Sequence, residues 1–181
     1  MLLETERCWL KLAGIEDAAA LLHYKIANKA FFEPWVPAYT ATSFDLDAIK
    51  INLEKQVVAY EAGLLLPLLV FLKEASQAVV GQVTYSQIQY GIAQMCYLGY
   101  SIAESENGKG LATEVLSAAN GYVFDEIGLH RIEANILPHN HASIRVVEKL
   151  GFAEEGLCKK LLKINGQWQD HLRFSIINLT I

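Results

Sequence analysis

Stretches of period two and stretches of period 3.6 follow one another along the chain, and their order predicts the architecture. From Thr5 to Leu12, the residues Cys8, Leu10 and Leu12 fall on one side and Arg7, Trp9 and Lys11 on the other, as in a half-buried first strand. Ile15 to Lys29 then brings Ala18, Leu21, Leu22 and Ile26 round at a helical period. Phe31 to Thr42 carries Pro34, Trp35, Pro37 and Tyr39, which predicts a stiff aromatic loop. Ser43 is the expected N-cap of a second helix, with Asp45 and Asp47 in its first turn. Three strands with short connections follow, Leu66 to Leu72, Ala78 to Gln89 and Gln94 to Ile102, and they read as an antiparallel meander. A polar, glycine-bearing turn then opens a long helix with Leu111, Val115, Ala119 and Tyr122 on one face. The remainder reads as a strand (Arg131 to Ile136), a helix (Ala142 to Leu150) and two strands (Ala153 to Leu162, His171 to Asn178) joined by an Asn165-Gly166 hairpin turn. The order β-α-α-β-β-β-α-β-α-β-β is an α/β chain of the α+β kind, with one mixed sheet, a right-handed βαβ crossover and helices on both faces.

Composition narrows the picture. At 181 residues and 52% hydrophobic, with no linker, repeat or biased tract, the chain is expected to form one domain over residues 1–181. A core of that size needs neither disulfides nor a structural metal. Fifteen Lys and Arg against twenty Asp and Glu leave a net charge of -5, the wrong sign for a protein that neutralises many phosphates. Nucleic acid is therefore excluded as the main partner. The most apolar stretch, Gly63 to Leu72, is broken by Pro67 and is about half a membrane span, so it reads as a buried strand. Glu4, Glu6 and Arg7 interrupt any signal-peptide pattern, and Cys8, Cys96 and Cys158 form no Cys-x-x-Cys pair. These features predict a reduced, cytoplasmic protein with no membrane partner.

The segment with chemical content is Ser101 to Glu114. Asn107-Gly108-Lys109-Gly110-Leu111-Ala112 puts two glycines where the chain turns from a strand into a helix whose first NH groups have no internal partners. Such a turn suits a phosphate. It is not a Walker A loop, because Gly110 follows Lys109, and it lacks the third glycine of a dinucleotide fingerprint, where Thr113 stands. A pyrophosphate-binding turn and an ordinary glycine connection are both compatible with these residues.

The motif resembles the signature of the GNAT acetyltransferases, with Asn107 in place of the usual first Gln or Arg. The resemblance runs from Leu3-Glu4-Thr5-Glu6-Arg7 through Leu98 to Ile102 and the glycine loop. It continues through Asn140-x-x-Ser143, Glu148-Lys149-Leu150-Gly151-Phe152, Glu155-Gly156-Leu157 and the Asn165-Gly166 hairpin with Asp170. The combination is similar to the branch that acetylates Ser or Ala termini of ribosomal proteins. It implies a GNAT fold and acetyl-CoA as the acetyl donor, with no metal. Asn107, Gly108, Lys109, Gly110, Leu111, Ala112 and Thr113 would hold the pyrophosphate. The main chain of Tyr100, Ser101 and Ile102 would pair with the pantetheine arm, and Asn140 would contact the cofactor.

Many relatives place a Tyr acid seven residues after that Asn, where this chain has Val147. In the resembled branch a Ser three residues after the Asn donates the proton, which implies that role for Ser143. Its alternative is to cap or open the helix near Ala142. An N-terminal amine, with a pKa near 8, is partly neutral in the cell and can dispense with a strong base. Glu33 and Glu133 are candidates for that work or for substrate contact, and Trp35 is a candidate wall of the acceptor cleft. The pair His139 and His141 lacks a third ligand. Arg131 suits either the CoA 3'-phosphate or a surface ion pair. The acceptor is expected to be a protein N-terminus, or else a small amine such as a polyamine or amino sugar, read by the Trp35 loop and the C-terminal hairpin or by a second copy of the chain. A non-catalytic acyl-CoA-binding module is the remaining alternative, raised by Val147.

Overall fold

A computed structural model describes residues 2–180. One eight-stranded mixed sheet carries the structure, in spatial order β1-β2-β3-β4-β5-β6-β8-β7. Its strands are β1 (Leu2–Glu4), β2 (Cys8–Leu12), β3 (Leu65–Leu72), β4 (Ala75–Gln89), β5 (Met95–Ile102), β6 (Arg131–Ile136), β7 (Ala153–Ile164) and β8 (Gln167–Ile177). The helices are α1 (Ala18–Ala27), α2 (Lys29–Phe32), α3 (Leu46–Glu61), α4 (Leu111–Asp125) and α5 (His141–Lys149). All neighbours pair antiparallel except β5 and β6, which the α4 crossover makes parallel.

The sheet separates two apolar layers. On one face, α4 and α5 bury Leu111, Val115, Leu116, Ala119 and Val147 against Val83, Tyr85, Leu98, Ile132 and Phe174. On the other, α1 and α3 cover Leu69, Phe71 and Val79 with Leu21, Tyr24, Ile49 and Leu53. The all-apolar β3 follows from this, since both of its faces are covered. Pro67 fits because β2 ends where Leu12 meets Leu68, and the Pro67 carbonyl still accepts from the Ala13 NH at 3.0 Å.

Local details depart from the sequence reading. The first strand is a hairpin: Thr5 to Arg7 form its turn, where the Thr5 NH donates to the Cys8 carbonyl at 2.9 Å. The N-cap of α3 is Asp45, whose carboxylate accepts from the Ala48 NH at 2.8 Å, while the Ser43 hydroxyl closes a turn by accepting from the Thr40 NH. Both residues are good caps, and the first apolar position of the helix, Leu46, selects the nearer one. The aromatic loop begins with one more helical turn, α2, before Pro34 stops it. The Asn165-Gly166 turn joins β7 to β8 as expected, with φ of 46° and 78°.

Gly81 stands on β4 opposite Ile102 of β5, where there is no room for a side chain. A Cβ there would lie 2.7 Å from Ile102 Cδ1 and 2.9 Å from the Ser101 carbonyl oxygen. Gly81→Ala must move the backbone of β5, and we expect a loss of about 1–3 kcal/mol, seen as a melting temperature lowered by roughly 2–4 °C per kcal/mol. Calorimetric melting of the two proteins checks this.

Candidate active site

Parallel pairing between β5 and β6 lasts for three residue pairs, Met95 with Arg131 to Tyr97 with Glu133. The strands then part. β5 continues to Ile102 paired to β4 alone, and β6 continues to Ile136 paired to β8 alone. Along Leu98 to Ile102, alternate main-chain groups on the β6 side therefore face open space. That space is the mouth of a cavity of about 370 Å³, walled by Leu98 to Ile102 and by Ala134 to Leu137.

Asn107 and Ala112 bring the glycine turn to one end of the cavity, and Asn140, Ala142, Ser143 and Val146 bring the first turns of α5. Phe31, Phe32, Trp35 and Val36 line it from the aromatic loop, and Asn135 and His171 line it from β6 and β8.

The turn itself is built to donate. Gly108 and Gly110 adopt φ of 77° and 78°, which a side chain would strain, and nothing lies within 4 Å of a Cβ placed on Gly108. No carbonyl or side chain among the described residues accepts from the main-chain NH groups of Gly108 to Thr113. Asn107 ties the turn to the end of β5, its Nδ2 donating to the carbonyls of Ile102 and Ala103 at 3.0 and 2.9 Å. Lys109 pairs with Glu106 at 3.1 Å and stays half exposed.

A second tie comes from the β1–β2 turn. The Glu114 carboxylate accepts from the Thr5 hydroxyl at 2.6 Å, the Arg7 NH at 2.8 Å and Arg7 Nε at 2.6 Å. Arg7 Nη1 donates to the Lys109 carbonyl at 3.0 Å. Burial pushes the Glu114 carboxyl up, but these donors outweigh it and hold its pKa below the ordinary carboxylate value.

Asn140 is the cap of α5: its Oδ1 accepts from the Ser143 NH at 3.1 Å. Ser143 is thus the capped residue, and its hydroxyl is not needed to start the helix. The Tyr100 hydroxyl donates to the Ser143 carbonyl at 3.3 Å, and burial pushes that phenol up to about 12, against a smaller lowering from its contact with Ser143. Behind the opposite wall, the Tyr24 hydroxyl hydrogen-bonds the Ser101 hydroxyl at 2.8 Å and keeps β5 against α1. Val147 is fully buried in the core and does not line the cavity.

The remaining candidates divide. Trp35 walls the cavity and packs on His139, with ring centroids 5.4 Å apart. Glu33 is exposed and off the cavity; its main-chain carbonyl accepts from Asn165 Nδ2 at 3.0 Å, which ties the aromatic loop to the hairpin tip. Glu133 is buried on the sheet face away from α4, where it accepts from Arg131 Nε at 2.7 Å and stands 3.4 Å from Arg173 Nε, in ion-pair contact without hydrogen-bond geometry. Arg131 also pairs with Glu155, so its charge is engaged by two carboxylates. His141 is exposed, and no His, Cys, Asp and Glu cluster among the described residues has the arrangement of a metal site.

Sequence reasoning passed over His171 and Asn135. His171 Nδ1 lies 3.0 Å from the Gln169 carbonyl, which only accepts, so Nδ1 carries a proton. Their membership of the cavity depends on the parting of β5 and β6, which no residue pattern announces.

A family model described as the acetyltransferase (GNAT) domain matches residues 7–153. The chain belongs to the GNAT acetyltransferases and is an acetyl-CoA-dependent N-acetyltransferase, which sets the non-catalytic module aside. It is 35% identical over 176 residues to the ribosomal protein uS5-alanine N-acetyltransferase of Escherichia coli K12, covering 94% of this chain and 87% of that one. The crystal structure of the ribosomal-protein-S5-alanine acetyltransferase of Vibrio fischeri superimposes with a TM-score of 0.94 at 30% identity, over 99% of this chain and 98% of that one. Mycobacterium smegmatis RimJ in complex with CoA-disulfide gives 0.91 at 28% identity, over 99% and 89%. The expected mixed sheet with helices on both faces is the GNAT fold.

Because the Glu114 pKa is lowered on folding, its interactions stabilise the protein above the ordinary carboxylate range and lose that effect as pH falls through the lowered value. Glu114→Gln should therefore melt below the wild type at pH 7, with the gap narrowing below pH ~4. Melting curves of both proteins across pH check the sign.

Proposed function

We propose that the enzyme acetylates the N-terminal amine of a protein, with a ribosomal protein beginning in Ser or Ala as the favoured acceptor, in the cytoplasm. The observation that carries the reading is the parting of β5 from β6. It sets an unpaired strand edge, an NH-rich turn and the first turns of α5 around one cavity. The full-length similarity to enzymes named for the uS5 alanine supports the choice of acceptor.

Acetyl-CoA supplies an activated thioester. The NH groups of Gly108 to Thr113 hold its pyrophosphate, aided by the positive end of α4. The free edge of Tyr100 to Ile102 pairs with the pantetheine amides and aims the thioester between the strands. A main-chain NH of that edge stabilises the negative charge that grows on the carbonyl oxygen as the amine attacks. With the Asn140 carboxamide oxygen spent on the cap, Asn140 contacts the cofactor through its amide nitrogen.

As the carbon–sulfur bond breaks, the electron pair leaves with sulfur, and the Ser143 hydroxyl donates a hydrogen bond to it. The net proton on the departing thiol is the one the amine gives up. The Tyr100 hydroxyl is engaged by the Ser143 carbonyl and fixes the Ser143 main chain. Phe31, Phe32 and Trp35 form the apolar side of the acceptor's entrance, and Asn135 and His171 its polar side. Glu33 and Glu133 stand off this cavity, and neither contacts the attacking amine in this reading.

Two outcomes are expected. Ser143→Ala should lower kcat by about 10²-fold while the acetyl-CoA Kd stays within about twofold, since the hydroxyl acts on the departing sulfur. Steady-state kinetics and calorimetry separate the two, and an unchanged kcat removes Ser143 from the mechanism. In a thiol-release assay with acetyl-CoA, Ser- and Ala-starting peptides should turn over well above spermidine and glucosamine. The reverse order would move the enzyme to small-molecule amines, in line with its 30% identity over 106 residues to the spermidine N(1)-acetyltransferase of Vibrio cholerae.

A further inference from the structure

The stretch Thr5-Glu6-Arg7 has no place in the chemistry above, and its residues lie outside the cavity. It forms the β1–β2 turn, held by the Thr5 NH on the Cys8 carbonyl and by the Lys73 NH on the Arg7 carbonyl, each at 2.9 Å. From there the Arg7 guanidinium crosses more than a hundred residues of sequence to the turn before α4. Nε reaches Glu114 in the first turn of the helix, Nη1 reaches the Lys109 carbonyl, and Nη2 comes within 3.9 Å of where a Gly110 Cβ would be.

The contact with Lys109 sets the orientation of one peptide. No peptide bond among the described residues is cis, and in a planar trans peptide the carbonyl oxygen and the following NH point in opposite directions. Holding the Lys109 carbonyl toward Arg7 therefore turns the Gly110 NH to the other side, among the free donors of the turn. A flip of this peptide turns the Lys109 ψ and the Gly110 φ together, and glycine, here at φ 78°, resists its share of that rotation very little. The orientation has to be imposed from outside, and a rigid guanidinium fork anchored on Glu114 does so with two fixed vectors.

We infer that Arg7, braced by Glu114 and Thr5, is a positioning residue that holds the Lys109–Gly110 peptide with its NH turned toward the donor's phosphates. This rests on reading Gly108 to Thr113 as the pyrophosphate loop. Arg7 itself touches neither the thioester nor the acceptor, so its effect falls on donor binding. A donor without phosphates does not use the loop and is indifferent to it.

The test compares wild type, Arg7→Ala and Arg7→Lys, using acetyl-CoA and S-acetylpantetheine as donors. The alanine variant should bind acetyl-CoA about tenfold more weakly in calorimetry, the loss expected of one charge-assisted hydrogen bond. Its kcat/KM should fall by a similar factor with acetyl-CoA and stay within about twofold of wild type with S-acetylpantetheine. The lysine variant keeps the charge but not the fork and should resemble the alanine variant. Wild-type affinity for acetyl-CoA in Arg7→Ala overturns the proposal. So does an equal loss with both donors, which would mark a general structural role, and so does full rescue by lysine, which would mark a role of charge alone. Failure of the wild type to bind acetyl-CoA would instead overturn the loop reading beneath it.

Discussion

The structure turns on a strand pair that stops early. Two neighbours in a sheet normally satisfy each other's main-chain groups along their length, and unpaired buried groups are costly. Here β5 and β6 pair over three positions and separate, while each stays paired on its outer side, to β4 and to β8. The edges exposed by this parting are not blunted by charge or proline. They form the two walls of the cavity, and the inner edge of β5 is left able to pair with an extended ligand.

Everything else at the site is arranged around that opening. The crossover helix α4 starts at the end of β5, so its donor-rich turn faces the same gap. The cap that starts α5 sits at the end of β6, on the other side. Tyr24 and Gly81 fix β5 from behind, one by a hydrogen bond to Ser101 and one by having no side chain where the Ser101 carbonyl passes. The β5 wall of the cavity is thus braced from behind, and the aromatic loop lines the cavity on another side.

The order of elements was legible in the sequence because each apolar period matched a covered face. Residues 131 to 136 form a strand as the pattern says, and the Asn165-Gly166 turn lies where its chemistry demands. The glycine turn was legible as a turn into a helix, and the positive φ of Gly108 and Gly110 agrees with it. Other features were out of reach. Two adequate caps, Ser43 and Asp45, compete for one helix, and the winner depends on tertiary position. His171 and Asn135 look like ordinary strand residues until the sheet splits beside them. Glu133 stood as a candidate base or substrate contact in the sequence, yet it is engaged by arginines from two strands, one of them 40 residues away. Pairings between distant segments are not encoded in local periodicity.

The hydrogen bond from Asn165 Nδ2 to the Glu33 carbonyl joins the tip of the β7–β8 hairpin to the aromatic loop, across 132 positions of sequence. The aromatic loop lines the cavity, and the bond couples its backbone to a hairpin tip that does not. Because the contact on the loop side is main chain, it constrains the path of the loop and leaves the identity of its side chains free, while on the hairpin side it depends on Asn165 alone.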